Sequence, residues 1–386
     1  MKICIITTTR ADFGLLKNLI LELKKNKFKI KIIAGGTHYL KRFGNTFREI
    51  EKFKIKVDKK IYFNSNHDNF REIARILSIH INESVKIFEC LKPDLLIVLG
   101  DRYEVLGTAI AAHITRIPIA HIHGGELTIG LIDDAFRHSI TKMSQLHFVA
   151  NKIYRNRVIQ LGENPKNVFV VGGLGVDSIS KVKLLSKNTL MDKLKIIFNK
   201  KNLIVSFHPE TLKKNLTKIQ IKELLNALKT LKNTCIIFTS PGSDLDNQII
   251  VNEIKNFVNH KDNAYYFPSL GQKNYYSILK IVDAIIGNSS SGILEMPTFK
   301  NATINIGDRQ LGRIKSNNII DCKIRKKDIL KALKKVYSNK FKRKTKSFKS
   351  SYGSAGASIK IVKILKKISL KNILIKKFYD INNVRT

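Results

Sequence analysis

The sequence predicts an α/β protein built from two Rossmann-like, doubly wound domains facing a cleft. Three observations carry that expectation. The chain has 386 residues, too many for one ordinary domain and suited to two. Short, nearly all-apolar β-branched runs recur along it, and unbroken apolarity marks strands of a parallel sheet covered on both faces. Stretches with helical apolar spacing separate the runs, so the repeating unit is β-α-β.

The first series of strands is expected at 3–8 (ICIITT), 30–34 (IKIIA), 95–99 (LLIVL), 117–122 (IPIAHI), 146–149 (LHFV) and 168–171 (VFVV). Helical patterns at 13–25, 69–91 and 134–145 lie between them. A charged stretch, 187–202, precedes the second series at 203–207, 235–239, 264–267, 284–286 and 302–306, with helices at 217–232, 246–259 and 273–282. The expected domains are 1–180 and 181–354. Apolar spacing at Ile359, Val362, Leu365 and Ile368 predicts a basic amphipathic helix over 355–379.

Composition narrows the function classes. Hydrophobic residues make up 43%, which excludes a disordered chain. Lys and Arg number 70 against 30 Asp and Glu, a formal net charge of +40. That balance suits a nucleic-acid or anionic-membrane partner, or else an unspecific basic surface. Residues 323–386 alone hold 21 Lys/Arg and two acids. No RNP-like aromatic pattern, zinc knuckle or helix-turn-helix signature accompanies the charge. The four cysteines, Cys4, Cys90, Cys235 and Cys322, form no CxxC pair and read as buried thiols in a reducing compartment. The opening MKICIITTTR reads as a strand, not a secretory leader, and no run of about 18 uncharged apolar residues suggests a membrane span. A cytoplasmic location is the expectation.

Ligands of doubly wound sheets bind beyond the carboxyl ends of the strands, so the loops just after strands are where chemistry is expected. After the first strand, Arg10 stands at a helix start, suited to clamping a phosphate, with Asp12 available as a cap. After the second comes Gly35-Gly36-Thr37-His38. After LLIVLG comes Asp101, a carboxylate that is costly there unless paired or used. The densest stretch, HIHGGELTIGLIDDAFRH at 121–138, holds His121, His123, Glu126, Asp133, Asp134, Arg137 and His138. Asp133 and Arg137 share a helix face at i,i+4 spacing. A metal site is the rival there, but no HExxH-type spacing occurs and the arginine disfavours a cation. Acid/base work on a bound anion suits the set better.

In the second series, His208-Pro209-Glu210 follows LIVSF, and Ser240-Pro241-Gly242 follows CIIFT. Gly287-Asn288-Ser289-Ser290-Ser291-Gly292 follows AII, with a helix expected from near Ile293. The loop is neither a Walker loop nor GxGxxG, but a strand–small polar loop–helix can receive phosphate. Glu295 is placed to accept hydrogen bonds from ribose hydroxyls. A phosphate site in one α/β domain and an acid/base cluster in the other describe a nucleotide-sugar enzyme.

The chain resembles the UDP-N-acetylglucosamine 2-epimerases, in particular the hydrolysing branch that serves sialic- and legionaminic-acid-type sugars. TTTRADFG (7–14), GGTHYLKRFGNTFREI (35–50), KPDLLIVLGDRYEVL (92–106), HIHGGELTIGLIDDAFRHSITKMSQLHF (121–148), HP (208–209), GNSSSGILE (287–295) and INIGDRQLGR (304–313) carry the resemblance. It implies a glycosyltransferase-B fold with the C-terminal helix, 355–386, packed back on the first domain. It also implies removal of the sugar C2 proton as UDP leaves C1, then addition of water to the glycal. Asp101, Glu126, Asp133 and Asp134 become acid/base candidates, with Arg137 orienting them. Many relatives place a glutamate where this chain has His123, so Glu126 or His123 takes that role. Arg10, Ser289 and Ser290 are implied at phosphate and His208 near the sugar and diphosphate, with His38 and Ser291 also among the substrate-binding residues. Glu295 is implied at the ribose and Arg309 or Arg313 at the nucleotide. The resemblance implies a homo-oligomer, no cofactor and no metal, and neither nucleic acid nor membrane as partner. The rivals are a glycosyltransferase of the same architecture and a nucleic-acid-binding protein.

Overall fold

The computed structural model describes residues 1–65, 69–210, 215–242, 246–346 and 350–381. It contains two compact units. The first comprises 1–126, 133–178 and 352–386, and the second comprises 127–132 and 179–351.

The first unit holds a seven-stranded sheet: β1 (Lys2–Thr7), β2 (Lys29–Ala34), β3 (Lys59–Lys60), β4 (Leu95–Leu99), β5 (Ile119–Ile122), β6 (Leu146–Val149) and β7 (Val168–Val170). The order is β3-β2-β1-β4-β5-β6-β7, and every pairing is parallel. The second unit holds β8 (Lys201–Ser206), β9 (Thr234–Thr239), β10 (Ala264–Phe267), β11 (Ala284–Gly287), β12 (Ala302–Ile306) and β13 (Ile319–Cys322). Its order is β10-β9-β8-β11-β12-β13, again all parallel. Both sheets reverse direction of growth beside their first strand, at β1/β4 and at β8/β11. Those are the topological switch points where α/β sheets open toward ligands.

The apolar strands are covered on both faces, as their composition demands. In the first unit, Ile3, Ile5, Leu95 and Ile97 pack with Leu16, Leu19 and Leu23 of the helix Arg10–Lys25. Cys4, Ile6, Leu96 and Val98 pack on the opposite side with Ile87, Phe88 and Ala109. The second unit repeats the plan around Leu203, Val205 and Ile236 on one face and Ile204, Cys235 and Ile237 on the other.

Four details depart from the sequence expectation. β3 and β13 are additional edge strands. β3 is two lysines long, too short and too polar to leave a pattern. β5 begins at Ile119 rather than Ile117 because Pro118 offers no N–H to a ladder. The helix after β11 is the single turn Ser291–Leu294, followed by a 3-10 turn at Met296–Phe299 where Pro297 enters. The C-terminal helix covers only Ala357–Leu365. Its Ile361, Val362 and Leu365 join the core formed by the Arg10–Lys25 helix. Beyond it the chain leaves helical geometry, with Asn372 at φ 56°, yet Ile368, Leu370 and Ile373 still pack on that core. Apolar spacing there reports burial without a helix. No helix among the described residues is long and apolar enough to cross a membrane.

Candidate active site

In the first unit the strand ends build a chain of buried charges. Asp101 follows Gly100, which holds φ 79° at the end of β4. Its carboxylate accepts a hydrogen bond from Nη2 of Arg137, 36 positions along the chain, on the helix Asp133–Met143. Nη1 of Arg137 donates to the His123 carbonyl at 3.3 Å and lies 3.6 Å from Glu126 Oε2. Glu126 Oε1 sits 2.6 Å from His123 Nδ1. The other ring nitrogen of His123, Nε2, accepts the backbone N–H of Leu174 at 3.3 Å. Nε2 is therefore unprotonated, and Nδ1 carries the proton that Glu126 accepts. His123 also holds φ 66°, a left-handed conformation uncommon outside glycine.

Exposure separates the candidates that the sequence left together. The side chain of Asp101 is 22% exposed, whereas Arg137 is 2% and Glu126 1% exposed. Asp133 and Asp134 are half-buried at the start of their helix, with Asp134 3.6 Å from His138 Nε2. Asp101, Asp133 and Asp134 thus present carboxylate surface, while Glu126 and His123 stand behind as a saturated pair. The Arg102 guanidinium forks onto buried Glu104 at 3.0 and 3.0 Å.

Histidines brace the loops. His121 donates from Nε2 to the Gly100 carbonyl at 2.8 Å and contacts Thr141 Oγ1 at 3.1 Å from Nδ1. Burial pushes its pKa down to about 3, so it is neutral. His38 is fully buried between Thr7 Oγ1 at 3.0 Å and Thr46 Oγ1 at 2.9 Å. Its side chain is a brace for the 35–46 loop, with no surface to offer a ligand. Thr9 caps the helix Arg10–Lys25 and Asp12 closes a reciprocal capping box, which leaves half-buried Arg10 at the first helical position. Sequence reasoning missed His80, which accepts the Gly36 N–H at 3.3 Å and is driven down to about 3 by burial.

The second unit's strand ends are knitted by amide groups together with the Glu210 carboxylate. Asn288 clamps the His208 backbone, accepting its N–H at 2.7 Å and donating to its carbonyl at 2.8 Å. His208 Nδ1 accepts the Gly242 N–H at 3.1 Å. Gly287 holds φ 137°, and a Cβ there would overlap the Ser206 carbonyl, so only glycine lets β11 end this close to β8. Glu210 receives the N–H groups of Asp308 at 2.7 Å and Arg309 at 3.2 Å, which fixes the loop after β12. Arg309 Nη1 and Gln310 Nε2 both reach the Asn288 carbonyl, at 3.4 and 2.9 Å. Arg313 lies in the same loop, its N–H on the Gln310 carbonyl at 3.3 Å.

The three serines divide. Ser291 is buried, donates to Glu295 at 2.5 Å and accepts from Tyr275 at 2.7 Å. Both of these bonds are made within the unit. Ser289 and Ser290 remain half-buried at the loop surface. With a helix of one turn, the loop offers hydroxyls and N–H groups but little dipole. Glu295 also accepts from Tyr276 at 2.9 Å, and burial raises its pKa above the ordinary glutamate range. Asn288 and Glu210 were visible beside the chosen residues, but nothing in their spacing showed that they lock the loops. Among the described residues no group of three or more His, Cys, Asp or Glu side chains is placed to hold a metal ion.

Comparison with known proteins places these loops in a family. Residues 21–366 match UDP-N-acetylglucosamine 2-epimerase. A Campylobacter jejuni GDP/UDP-N,N'-diacetylbacillosamine 2-epimerase (hydrolyzing) is 43% identical, covering 98% of this chain and 99% of its own. The Escherichia coli polysialic acid biosynthesis protein P7 is 37% identical, covering 100% and 99%. The crystal structure of Neisseria meningitidis UDP-GlcNAc 2-epimerase bound to UDP-GlcNAc has a TM-score of 0.83 at 18% identity, over 95% of this chain and all of that one (100%). That likeness carries the fold, two parallel α/β units of glycosyltransferase-B type. With strand-end loops of this composition and relatives matched along their full length, the chain belongs to the UDP-N-acetylglucosamine 2-epimerase family.

Proposed function

We propose that the protein is a hydrolysing nucleotide-sugar 2-epimerase. It converts UDP-N-acetylglucosamine, or a UDP- or GDP-linked diacetylbacillosamine, plus water to the free 2-epimer and nucleoside diphosphate. The observation that carries the proposal is the partly exposed Asp101 carboxylate held on Arg137, with the Glu126–His123 pair buried behind it. The name and full-length match of the Campylobacter jejuni relative support the hydrolysing outcome and the diacetylated sugar.

In the first step a carboxylate takes the C2 proton, the C1=C2 bond forms, and the diphosphate leaves C1 with its electron pair. In the second, water oxygen adds to C1 and a proton reaches C2 from the opposite face. Two acid/base groups serve two faces, so Asp101 is paired here with Asp133 or Asp134. Arg137 aims Asp101, while Glu126 and His123 hold Arg137 in place. Arg10, Ser289 and Ser290 receive the diphosphate, with His208 beside it. Arg309 and Arg313 take the nucleotide and Glu295 the ribose.

The test is product NMR in D2O with purified protein and UDP-N-acetylglucosamine, UDP-diacetylbacillosamine and GDP-diacetylbacillosamine. The expected product is a free sugar of inverted C2 configuration with deuterium at C2, together with nucleoside diphosphate. Free sugar of retained configuration, or no turnover of any of the three, overturns the proposal.

A further inference from the structure

The segment after the C-terminal helix is irregular but firmly held. Lys376 Nζ donates to the carbonyls of Lys142 and Ser144 at 2.6 and 2.7 Å, and pairs with Glu163 at 2.7 Å. Those two carbonyls lie at the C-terminal end of the helix Asp133–Met143, where an ammonium satisfies orphan acceptors and complements the helix dipole. Glu163 is buried, and it also holds Lys142 at 2.9 Å and His147 at 2.9 Å. Burial opposes its charge, but hydrogen bonds from His147, Lys376 and Lys142 outweigh it and lower its pKa. Two residues on, Phe378 lies against Gly162, and the Tyr379 N–H reaches the Gly162 carbonyl at 2.9 Å. Gly162 holds φ 84°, and any Cβ there would strike the Phe378 ring.

The helix clamped in this way carries Asp133, Asp134 and Arg137 at its other end. A second line runs from the same place through the sheet. His147 on β6 is the register partner of His121 on β5, and His121 holds both the Gly100 carbonyl beside Asp101 and Thr141 on the clamped helix.

We infer that Lys376 and Glu163 are positioning residues for the reaction: the docked C-terminal segment fixes the register of the Asp133–Met143 helix, and so the aim of Arg137 and Asp101. Neither side chain touches substrate. The clamp acts at the C-terminal end of the helix, together with the His121–Thr141 contact and the packed apolar side chains, to set its axial position. Displacements of about 1 Å at acid/base groups are enough to cost large factors in rate. The inference rests on the epimerase reading above.

The experiment compares Lys376→Met, Lys376→Arg and Phe378→Ala with the intact protein. Measured are kcat and KM for the nucleotide sugar turned over, UDP affinity by calorimetry, and amide hydrogen exchange across 133–143. The expected result for Lys376→Met is a fall in kcat of about tenfold, with KM within about twofold and UDP affinity unchanged. Amides of 133–143 exchange faster, Lys376→Arg restores most of both, and Phe378→Ala gives a smaller effect in the same direction. Unchanged kcat and exchange in Lys376→Met overturn the inference. So does a joint collapse of kcat, UDP affinity and exchange throughout the unit without rescue by arginine, which marks general unfolding. A failure of the epimerase reading is distinguishable, because the unmodified protein then turns over no sugar while the exchange comparison still reports on the clamp.

Discussion

Glu163 is a buried glutamate of the first unit and Glu295 a half-buried one of the second, and their proton affinities move in opposite directions. Burial pushes each up. Around Glu163 stand two ammonium groups and an imidazole, and their hydrogen bonds and charge reverse the shift. Glu295 accepts from the hydroxyls of Tyr276 and Ser291, which soften the penalty without overcoming it. The same contrast separates the two sets of strand ends. The first unit stores charge in pairs, Asp101 and Glu126 about Arg137, where protons are to move. The second knits its loops with the amides of Asn288 and Gln310 and with Glu210, which accepts backbone N–H groups; that arrangement would suit the proposed receipt of an anion without proton exchange.

If that division holds, substitutions in the first unit strike turnover and those in the second strike nucleotide affinity. The largest effect is expected from Asp101→Asn, which keeps shape and removes the base. Its kcat falls by about a thousandfold while calorimetry shows unchanged UDP binding; a near-normal rate removes Asp101 from the mechanism. Arg137→Met leaves two carboxylates without their cation, one of them 1% exposed. Urea unfolding should show a loss of about 3–5 kcal/mol, and a loss below about 1 kcal/mol means that the carboxylates find other partners. The double substitution Ser289→Ala and Ser290→Ala removes two hydroxyls from the phosphate loop. UDP affinity should fall about tenfold, near 1.4 kcal/mol, with kcat little changed. A fall in kcat at constant affinity breaks the division.

The smallest effects test the two glutamates directly. Glu163 has a lowered folded pKa, so its contribution is present above the ordinary glutamate value of 4.5 and is lost as pH falls through the folded one. Glu295 has a raised pKa, so its contribution is full below 4.5 and is lost as pH rises through the folded value. Urea midpoints measured from acid to neutral pH should therefore lose their acid-side decline in Glu163→Gln and their rising-pH decline in Glu295→Gln. Changes of the same sign in both variants would dissolve the contrast.

Much of this was readable before any coordinates. The all-apolar runs announced parallel strands, and Asp101, His208 and Ser289 stood out because each follows such a run. The edge strand Lys59–Lys60 was not readable, since two lysines pair only because β2 is beside them. The C-terminal helix was overread: Ile368, Leu370 and Ile373 bury against the core without helical geometry, and periodicity cannot tell those cases apart. Glu163 carried no signal at all. A lone glutamate in a loop looks solvated until Lys142, His147 and Lys376, brought from three separate segments, surround it.

Local chemistry sufficed for whatever depends on neighbours in sequence: the strand runs, the Asp133–Arg137 helix face and the loops that must lie beyond strand ends. Roles within the site depended on contacts made across the chain. Arg137 reached Asp101, 36 positions away, and Arg102 turned to Glu104. Leu174 took the second nitrogen of His123, and Tyr275 turned Ser291 inward. A side chain's proton affinity is set by burial and by the charges within a few ångströms, and for these residues only the folded chain supplies them.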